Sequence, residues 1–138
     1  ALSEGFDVTP VAKETYGDNN GKIADPLVRD KLACLQMRGQ ALKLTIKRVM
    51  DSTKAGSSTG SASSILKYIG AELNKDRFEF ALYIMGQQGL GWEGEGFSPE
   101  ELSISRLWLR TKANSIEGGT TEINLNVIAK RVLGLKDQ

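Results

Sequence analysis

Between residues 25 and 50, apolar residues recur at alternating spacings of four and three, which places them on one stripe of an α-helix. The stripe consists of Val28, Leu32, Leu35, Gly39, Leu42, Ile46 and Val49. Asp25 and Pro26 precede it, and they suit a helix start because Asp can cap free N–H groups while Pro loses no bond there. The pattern predicts a long helix with a bundle-type seam, in which Gly39 indicates close approach of a second helix.

Three further helices are predicted by spacing and punctuation. Apolar spacing resumes over Ile65–Ile84, after the serine-rich run at 56–64, which we expect to supply an N-cap rather than a phosphate cradle. Residues 98–101 form a capping box that starts a third helix, running to about Asn114. A fourth helix follows the Gly-Gly-Thr-Thr turn and is closed by Gly134.

The sequence therefore predicts an all-α fold, an up-and-down antiparallel four-helix bundle over residues 25–138. No window alternates apolar and polar residues well enough for a strand. Residues 1–24 are rich in glycine and polar residues. We expect them to form a linker or partly ordered lead-in, with one short helical turn near Val11–Tyr16.

Composition excludes several classes of site. The chain has no histidine and a single cysteine, Cys34, so the usual zinc sites and Ser-His-Asp or Cys-His catalytic groups are excluded, and no metal site is predicted. Eighteen basic and seventeen acidic side chains give no nucleic-acid footprint. No apolar run approaches the roughly 20 residues of a membrane span, and no secretion signal is present, so we expect a cytoplasmic protein. Because Ala1 is not an initiator methionine, we expect a piece of a longer protein.

Two glycine-containing segments could bind a ligand. Gly89–Gly94 matches G-x-G-x-x-G but follows a predicted helix rather than a strand, so we interpret it as a loop. Glu117 and Glu122 flank the Gly-Gly-Thr-Thr turn at the mouth of a helix, where free N–H groups and the helix dipole favour an anion or polar ligand. The alternative is that Thr120 or Thr121 caps the helix while Glu122 complements its dipole.

The segment Ser115–Asn124, continued by Asn126–Leu135, is similar to the S-I-x-G-G-T-x-E-I-Q and N-I-I-A-x-R-V-L-G-L ending of bacterial acyl-CoA dehydrogenases. The stretches Asp25–Arg29, Ala62–Lys67 and Leu82–Gly86 resemble the same C-terminal helical domain in the same order. The resemblance covers nearly everything after about residue 22, and it implies the fold that the apolar spacing predicts.

This family resemblance implies FAD-dependent α,β-dehydrogenation of a fatty or related acyl-CoA, with electrons passed to an electron-transfer flavoprotein. A carboxylate removes the α-proton in a water-poor site while the β-hydrogen leaves as hydride to the flavin. The resemblance places Thr120 and Glu122 near the FAD, and Tyr83 and Gln87 in a turn that faces the FAD dinucleotide of a neighbouring subunit. The parts of the active site are shared among three domains, so this domain is not expected to be catalytic alone.

The chain departs from the family pattern at the base. Many members carry the catalytic Glu where this sequence has Gly118, and members lacking it use a carboxylate on an earlier helix, which would lie before Ala1. Glu117 is adjacent but offset by one residue, so it would need a different backbone path to reach substrate. The second glycine often found after the second helix is Gln87 here. The R-x-x-F-G segment that helps hold FAD is missing.

Two other functions remain open: a flavin-free interaction scaffold derived from the family, and a related acyl-CoA oxidase or flavin monooxygenase. Without the preceding helix and domains, the bundle stripe should be partly uncovered. We therefore expect self-association as a homo-oligomer or swapped dimer.

Overall fold

A computed structural model describes residues 6–136. The order of elements is α1 (Thr9–Tyr16), β1 (Asp18–Asn19), β2 (Lys22–Ile23), α2 (Pro26–Lys54), α3 (Ala62–Met85), α4 (Pro99–Thr111) and α5 (Thr121–Val127). Short 3-10 segments follow α3 at Gly86–Leu90 and α4 at Lys112–Ser115, and a π-helical turn follows α5 at Ile128–Val132. The predicted all-α fold is confirmed.

Helices α2 and α4 start with the caps predicted for them, whereas α3 does not. The Asp25 carboxylate accepts hydrogen bonds from the N–H groups of Leu27 and Val28, both at 2.9 Å. Ser98 and Glu101 form the reciprocal capping box, with N···O distances of 3.2 and 2.8 Å. The N-cap expected from the serine-rich run is wrong, because the Ser61 backbone is already helical and its side chain makes no capping bond.

Helix α3 lies at the centre of the domain and contacts α1, α2, α4 and α5. It runs antiparallel to α2, since Arg38 pairs with Asp76 near the middle of both helices. Further along, a Cβ added at Gly70 would lie 3.8 Å from Leu42. The up-and-down succession predicted for the first two helices is therefore present.

The same antiparallel relation holds between α3 and α4. The Trp108 indole N–H donates to the Glu79 carboxylate at 2.6 Å. Towards the other end of α3, the Asn74 amide donates to Asn114 at 3.0 Å. These contacts place the segment that follows α4 beside the middle of α3.

Gly39 is buried where α2 approaches α3, as its position in the apolar stripe predicted. A Cβ added there would lie 2.5 Å from Nη2 of Arg77 and 3.9 Å from Cδ2 of Leu73. The space that a side chain would need is thus taken mainly by a guanidinium group of α3, which lies against the α2 backbone.

The hydrophobic core joins α1, β2, α2 and α3. Its buried members are Val8, Ala12, Ile23, Val28, Leu32, Leu35, Leu42, Leu73, Phe80, Ala81 and Ile84. Three of these precede residue 25, so this segment shares the core that α2 and α3 build. Helix α1 spans two turns rather than the one turn predicted, while the domain boundary at residue 24 stays a prediction.

A two-stranded antiparallel hairpin pairs Asp18 with Ile23, and the prediction that the chain has no strand was wrong here. The turn is made by Asn20 and Gly21, with φ of 54° and 80°. Asn-Gly is a strong signal for such a turn because both residues tolerate positive φ. Strands of two residues are too short to show alternation, so only the turn could have revealed them.

Candidate functional site

The loop between α4 and α5 carries most of the residues proposed from the sequence. Gly118 and Gly119 have φ of 66° and 92°, a backbone region that favours glycine. The Lys67 ammonium of α3 donates to the Gly119 carbonyl at 2.6 Å. The Asn124 amide donates to the carbonyls of Gly119 and Thr120, both at 2.9 Å. The side chains of Lys67 and Asn124 therefore hold the loop between α4 and α5 in place. We call this loop, residues 112–120, the signature loop.

Thr120 is the N-cap of α5, and its hydroxyl accepts the Ile123 N–H at 3.3 Å. The sequence left open either a ligand site at the mouth of this helix or a cap by Thr120 or Thr121. The cap by Thr120 is present in the structure. Glu122 is exposed in the first turn. Its pKa is lowered by a hydrogen bond from its own backbone N–H, then by the Thr120 hydroxyl and by the charges of Lys67 and Lys75. The cofactor-binding role of Thr120 and Glu122 stays a prediction.

Glu117 is held by the segment that precedes it. Arg110 forms an ion pair with its carboxylate at 2.9 Å, and the Asn114 amide donates to the other oxygen. These two hydrogen bonds, that of Arg110 first, lower the pKa of Glu117. A carboxylate paired in this way is a weaker base than a free one. The role of Glu117 as a catalytic base stays a prediction. So does the interpretation that Gly118 occupies the position of the family's usual base.

A cavity of about 520 Å³ lies between α2, α3 and the signature loop. Its apolar wall includes Leu42, Leu66 and Leu73, and Glu117 and Gly118 also line it. Charged and amide groups complete it: Lys67, Asn74, Arg77 and Asn114. Burial lowers the pKa of Arg77, against the opposing effect of the Asp7 charge. The cavity therefore combines apolar walls with cationic and amide donors.

Tyr83 and Gln87 lie at the other end of α3. Helix α3 ends at Met85, its C-cap Gly86 has a φ of 57°, and Gln87 follows on the surface. Tyr83 is 70% exposed, and its ring stacks on Phe80 with a centroid separation of 6.0 Å. A cavity of about 320 Å³ adjoins it, lined also by Tyr16, Asp25, Leu27, Val28 and Lys31.

The structure does not bring the two groups of candidate residues together. Lys67, which holds the signature loop, precedes Tyr83 by sixteen positions on α3. At about 1.5 Å per residue, the two ends of the helix are roughly 24 Å apart. One group therefore lies at each end of α3.

Sequence reasoning missed what three side chains do at the signature loop, although one of them, Thr121, was considered as a cap. Lys67 and Asn124 fall in the quoted motifs, but nothing in the motifs showed that their side chains bind loop carbonyls. The Thr121 hydroxyl is buried and, within the described residues, has no hydrogen-bond partner. A buried hydroxyl without a partner costs about 1–3 kcal/mol. A bound group that supplied a hydrogen-bond partner for this hydroxyl would thus stabilise the loop, and so would a rearrangement that did so.

Within residues 6–136, no helix is long and apolar enough to cross a membrane. Among the same residues, no three His, Cys, Asp or Glu side chains are grouped to hold a metal ion.

The family model described as "Acyl-CoA dehydrogenase, C-terminal domain" matches residues 11–133. The chain belongs to the acyl-CoA dehydrogenase family. Acyl-CoA dehydrogenase IpdE1 of Mycolicibacterium smegmatis is 31% identical over 96% of this chain. Acyl-CoA dehydrogenase FadE34 of Mycobacterium tuberculosis is 30% identical over 80% of it. The chain spans 30% of the length of the first relative and 14% of the second.

Solved structures share the fold of this acyl-CoA dehydrogenase domain. The Tcur3481-Tcur3483 steroid ACAD superposes with a TM-score of 0.76 at 24% identity, over 96% of this chain and 33% of that one. The ChsE4-ChsE5 complex from Mycobacterium tuberculosis gives 0.73 at 21% identity, over 96% and 34%. At these identities the likeness shows the fold alone.

Proposed function

We propose that this chain is the C-terminal domain of an FAD-dependent dehydrogenase that removes the α- and β-hydrogens of an acyl-CoA thioester. The domain would contribute FAD contacts and the oligomer core without being catalytic alone. The observation that carries the proposal is the signature loop, which Lys67 and Asn124 hold in place while the Thr121 hydroxyl has no hydrogen-bond partner among the described residues.

The residues present fit a polar cofactor at this loop. Thr120 and Glu122 stand at its edge, and a bound group that shifts the loop could satisfy the Thr121 hydroxyl. FAD, when bound, supplies the hydride acceptor. Tyr83 offers an exposed aromatic face and Gln87 an exposed amide at the far end of α3. These two residues lie roughly 24 Å from the loop along the helix. This separation supports the proposal that they contact a different FAD, the one of a neighbouring subunit.

The base is the least complete part of the site. Gly118 has no side chain, and the Glu117 carboxylate is engaged by Arg110 and Asn114. We therefore assign α-proton removal to a carboxylate of the parent protein outside this chain, with Glu117 as the alternative within it. For Glu117 to act, its carboxylate must leave Arg110 and turn towards the cavity.

Assembly and electron transfer complete the proposal. The two structural neighbours are named as pairs of chains, and one of these pairs is called a steroid ACAD. Their likeness supports a parent protein that associates with acyl-CoA dehydrogenase chains, either its own copies or a related one. A steroid-derived acyl-CoA is therefore tested beside a straight-chain one. The electron acceptor would be an electron-transfer flavoprotein.

The test uses the full-length parent protein reconstituted with FAD. We expect the visible flavin absorbance to bleach without oxygen when a suitable acyl-CoA is added, and to recover with electron-transfer flavoprotein. If hydrogen peroxide formed in air at the same rate as the flavin bleached, the parent protein would be an oxidase and not a dehydrogenase. Absence of flavin uptake would refute the proposal.

Variants assign the contacts. We expect Thr120→Val to weaken FAD binding, while Thr120→Ser keeps the hydroxyl and the cap. Thr59→Val, in the exposed loop between α2 and α3, is the matched control. Glu117→Gln should leave turnover unchanged if the base lies elsewhere, whereas a loss of kcat with unchanged FAD binding would assign the base to Glu117.

A flavin-free scaffold is the second candidate, and the lack of a side chain at Gly118 favours it. In that case the parent protein would bind neither FAD nor acyl-CoA but would still assemble. Isothermal titration of the parent with FAD separates the two candidates, because only the dehydrogenase predicts saturable heat.

A further inference from the structure

Arg77 of α3 is half-buried, and its guanidinium group has no bonding partner. It forms no hydrogen bond or ion pair with another residue of the described range 6–136. The adjacent acid on α3, Asp76, pairs with Arg38 instead. The charge of Asp7 acts on Arg77, but the two do not form an ion pair. Because a guanidinium group stays charged and is costly to bury without acceptors, an added acceptor at Arg77 would be stabilising.

The Arg77 side chain lies where two cavities meet. Among the described residues, it alone lines both the 520 Å³ cavity and a second cavity of about 390 Å³. Its Nη2 lies against the α2 backbone at Gly39, where an added Cβ would be 2.5 Å away. Three further donors of α2 line the second cavity, together with the acid Asp7: Gln36, Gln40 and Lys43. The junction therefore has more hydrogen-bond donors and cations than acids.

The other charged groups that line the 520 Å³ cavity are already engaged. Lys67 donates to a carbonyl of the signature loop, and Glu117 pairs with Arg110. Within residues 6–136, the charge of this cavity that lacks a partner is thus the positive charge of Arg77. A carboxylate suits Arg77 better than a neutral oxygen does, because its hydrogen bonds with a guanidinium group are charge-assisted and can be bidentate.

Arg77 lies far from the part of the cavity where the family's usual base would stand. That position is Gly118, and a Cβ added there would lie 3.9 Å from Cε of Lys67. Lys67 and Arg77 are ten positions apart on α3, roughly 15 Å along the helix axis. Apolar side chains, among them Leu66 and Leu73, line the cavity between them. An acyl group with its reacting carbons at Gly118 would therefore extend along this apolar wall towards Arg77.

We propose that Arg77 selects acyl groups that carry a carboxylate at the end opposite the thioester. The inference rests on the proposed function, because it takes the 520 Å³ cavity as the acyl pocket and the signature loop as its reacting end. A methyl-ended acyl group would leave the guanidinium group covered and unpaired, whereas a carboxylate would supply two acceptor oxygens. Arg77 is thus a specificity-determining residue for dicarboxylic acyl-CoA substrates.

The first test measures substrate preference in the full-length parent protein reconstituted with FAD. Acyl-CoA substrates are compared in pairs of equal carbon number, one ending in a carboxylate and the other in a methyl group. We expect the carboxylate-ended member to be preferred about tenfold or more in kcat/KM at the length that reaches Arg77. The gain should appear chiefly in KM, because this contact is the same in the ground state and the transition state. A preference for the methyl-ended member at every length would overturn the proposal.

Variants assign the preference to the guanidinium group. Arg77→Met should abolish it without lowering kcat/KM for the methyl-ended substrates. Arg77→Lys should keep part of it, since a charge remains but the bidentate geometry is lost. Arg48→Met is the matched control, because Arg48 is exposed on α2 and lines neither cavity. An Arg77→Met protein that folds by circular dichroism and keeps the preference would contradict the proposal.

A second test uses the 138-residue chain alone. Proton–nitrogen NMR follows the Nε–H resonance of Arg77 while hexanoate is added, and neutral hexanamide is the matched probe. We expect hexanoate to shift this resonance saturably and hexanamide to leave it in place. No shift with hexanoate, or an equal shift with both probes, would overturn the carboxylate site. If the parent took up no FAD, the dehydrogenase function would be refuted, while the hexanoate titration would still decide whether Arg77 binds a carboxylate.

Discussion

Replacing Gly39 with alanine tests how closely α2 approaches α3. Gly39 is in a helix interior, where alanine is more favourable than glycine by about 1 kcal/mol. Against this gain, the new Cβ would lie 2.5 Å from Nη2 of Arg77, so the guanidinium must move. Leu73, at 3.9 Å, is at an ordinary contact distance and need not move.

The two effects nearly cancel. Forcing a long side chain away from its rotamer costs about 0.5–1.5 kcal/mol, and Arg77 can swing because its charged end is the far end of a flexible chain. We therefore expect Gly39→Ala to change the free energy of unfolding by less than about 1 kcal/mol. In an Arg77→Ala background the obstruction is gone, and the same substitution should stabilise the domain by about 1 kcal/mol.

Urea unfolding followed by circular dichroism measures both values, at a chain concentration low enough to avoid self-association. The four proteins of the cycle isolate the coupling between Gly39 and Arg77. If Gly39→Ala destabilised the Arg77→Ala protein by more than about 2 kcal/mol, the reasoning would be refuted. The α3 backbone, and not the guanidinium, would then limit the approach.

Three further outcomes are expected. Ser98→Ala should lower the free energy of unfolding in urea by about 1 kcal/mol, because it removes half of the α4 capping box, and an unchanged value would contradict this. Lys67→Met should reduce hydrogen-exchange protection around Gly119 while lowering global stability by about 1 kcal/mol or less; equal loss at all amides would speak against a local role. The Trp108 and Lys112 hydrogen bonds lower the pKa of Glu79 below 4.5, so their stabilisation is present above that pH and is lost as pH falls through the lowered value. Glu79→Gln should therefore flatten the acid side of the stability profile and of the Trp108 fluorescence titration, and a profile like that of the wild type would refute the assignment.

The helices could be predicted because their signals are local. The caps at Asp25 and Ser98 and the Gly39 seam depend on residues three or four positions apart, which the sequence shows directly. The burial of Val8 and Ala12 could not be predicted, since it depends on contacts with α2 and α3. The serine run failed as a cap because the backbone of Ser61 is already helical.

The site was less accessible to sequence reasoning. The motif located the loop, but its restraint by Lys67 comes from a residue 52 positions away. The pairing of Glu117 with Arg110 is also set by how α4 ends, in a 3-10 segment that the spacing did not reveal. The Thr121 hydroxyl has no hydrogen-bond partner among the described residues, and no pattern of residue types shows this.

Candidate residues lie at both ends of α3. The length of that helix therefore sets the distance and the angle between the two groups. Inserting one residue between Lys67 and Tyr83 would lengthen the separation by about 1.5 Å and rotate one end against the other by about 100°. Exposed positions along α3 can change their side chains without altering this distance or angle. Insertions and deletions should therefore be tolerated in the loop between α2 and α3 but not within α3 itself.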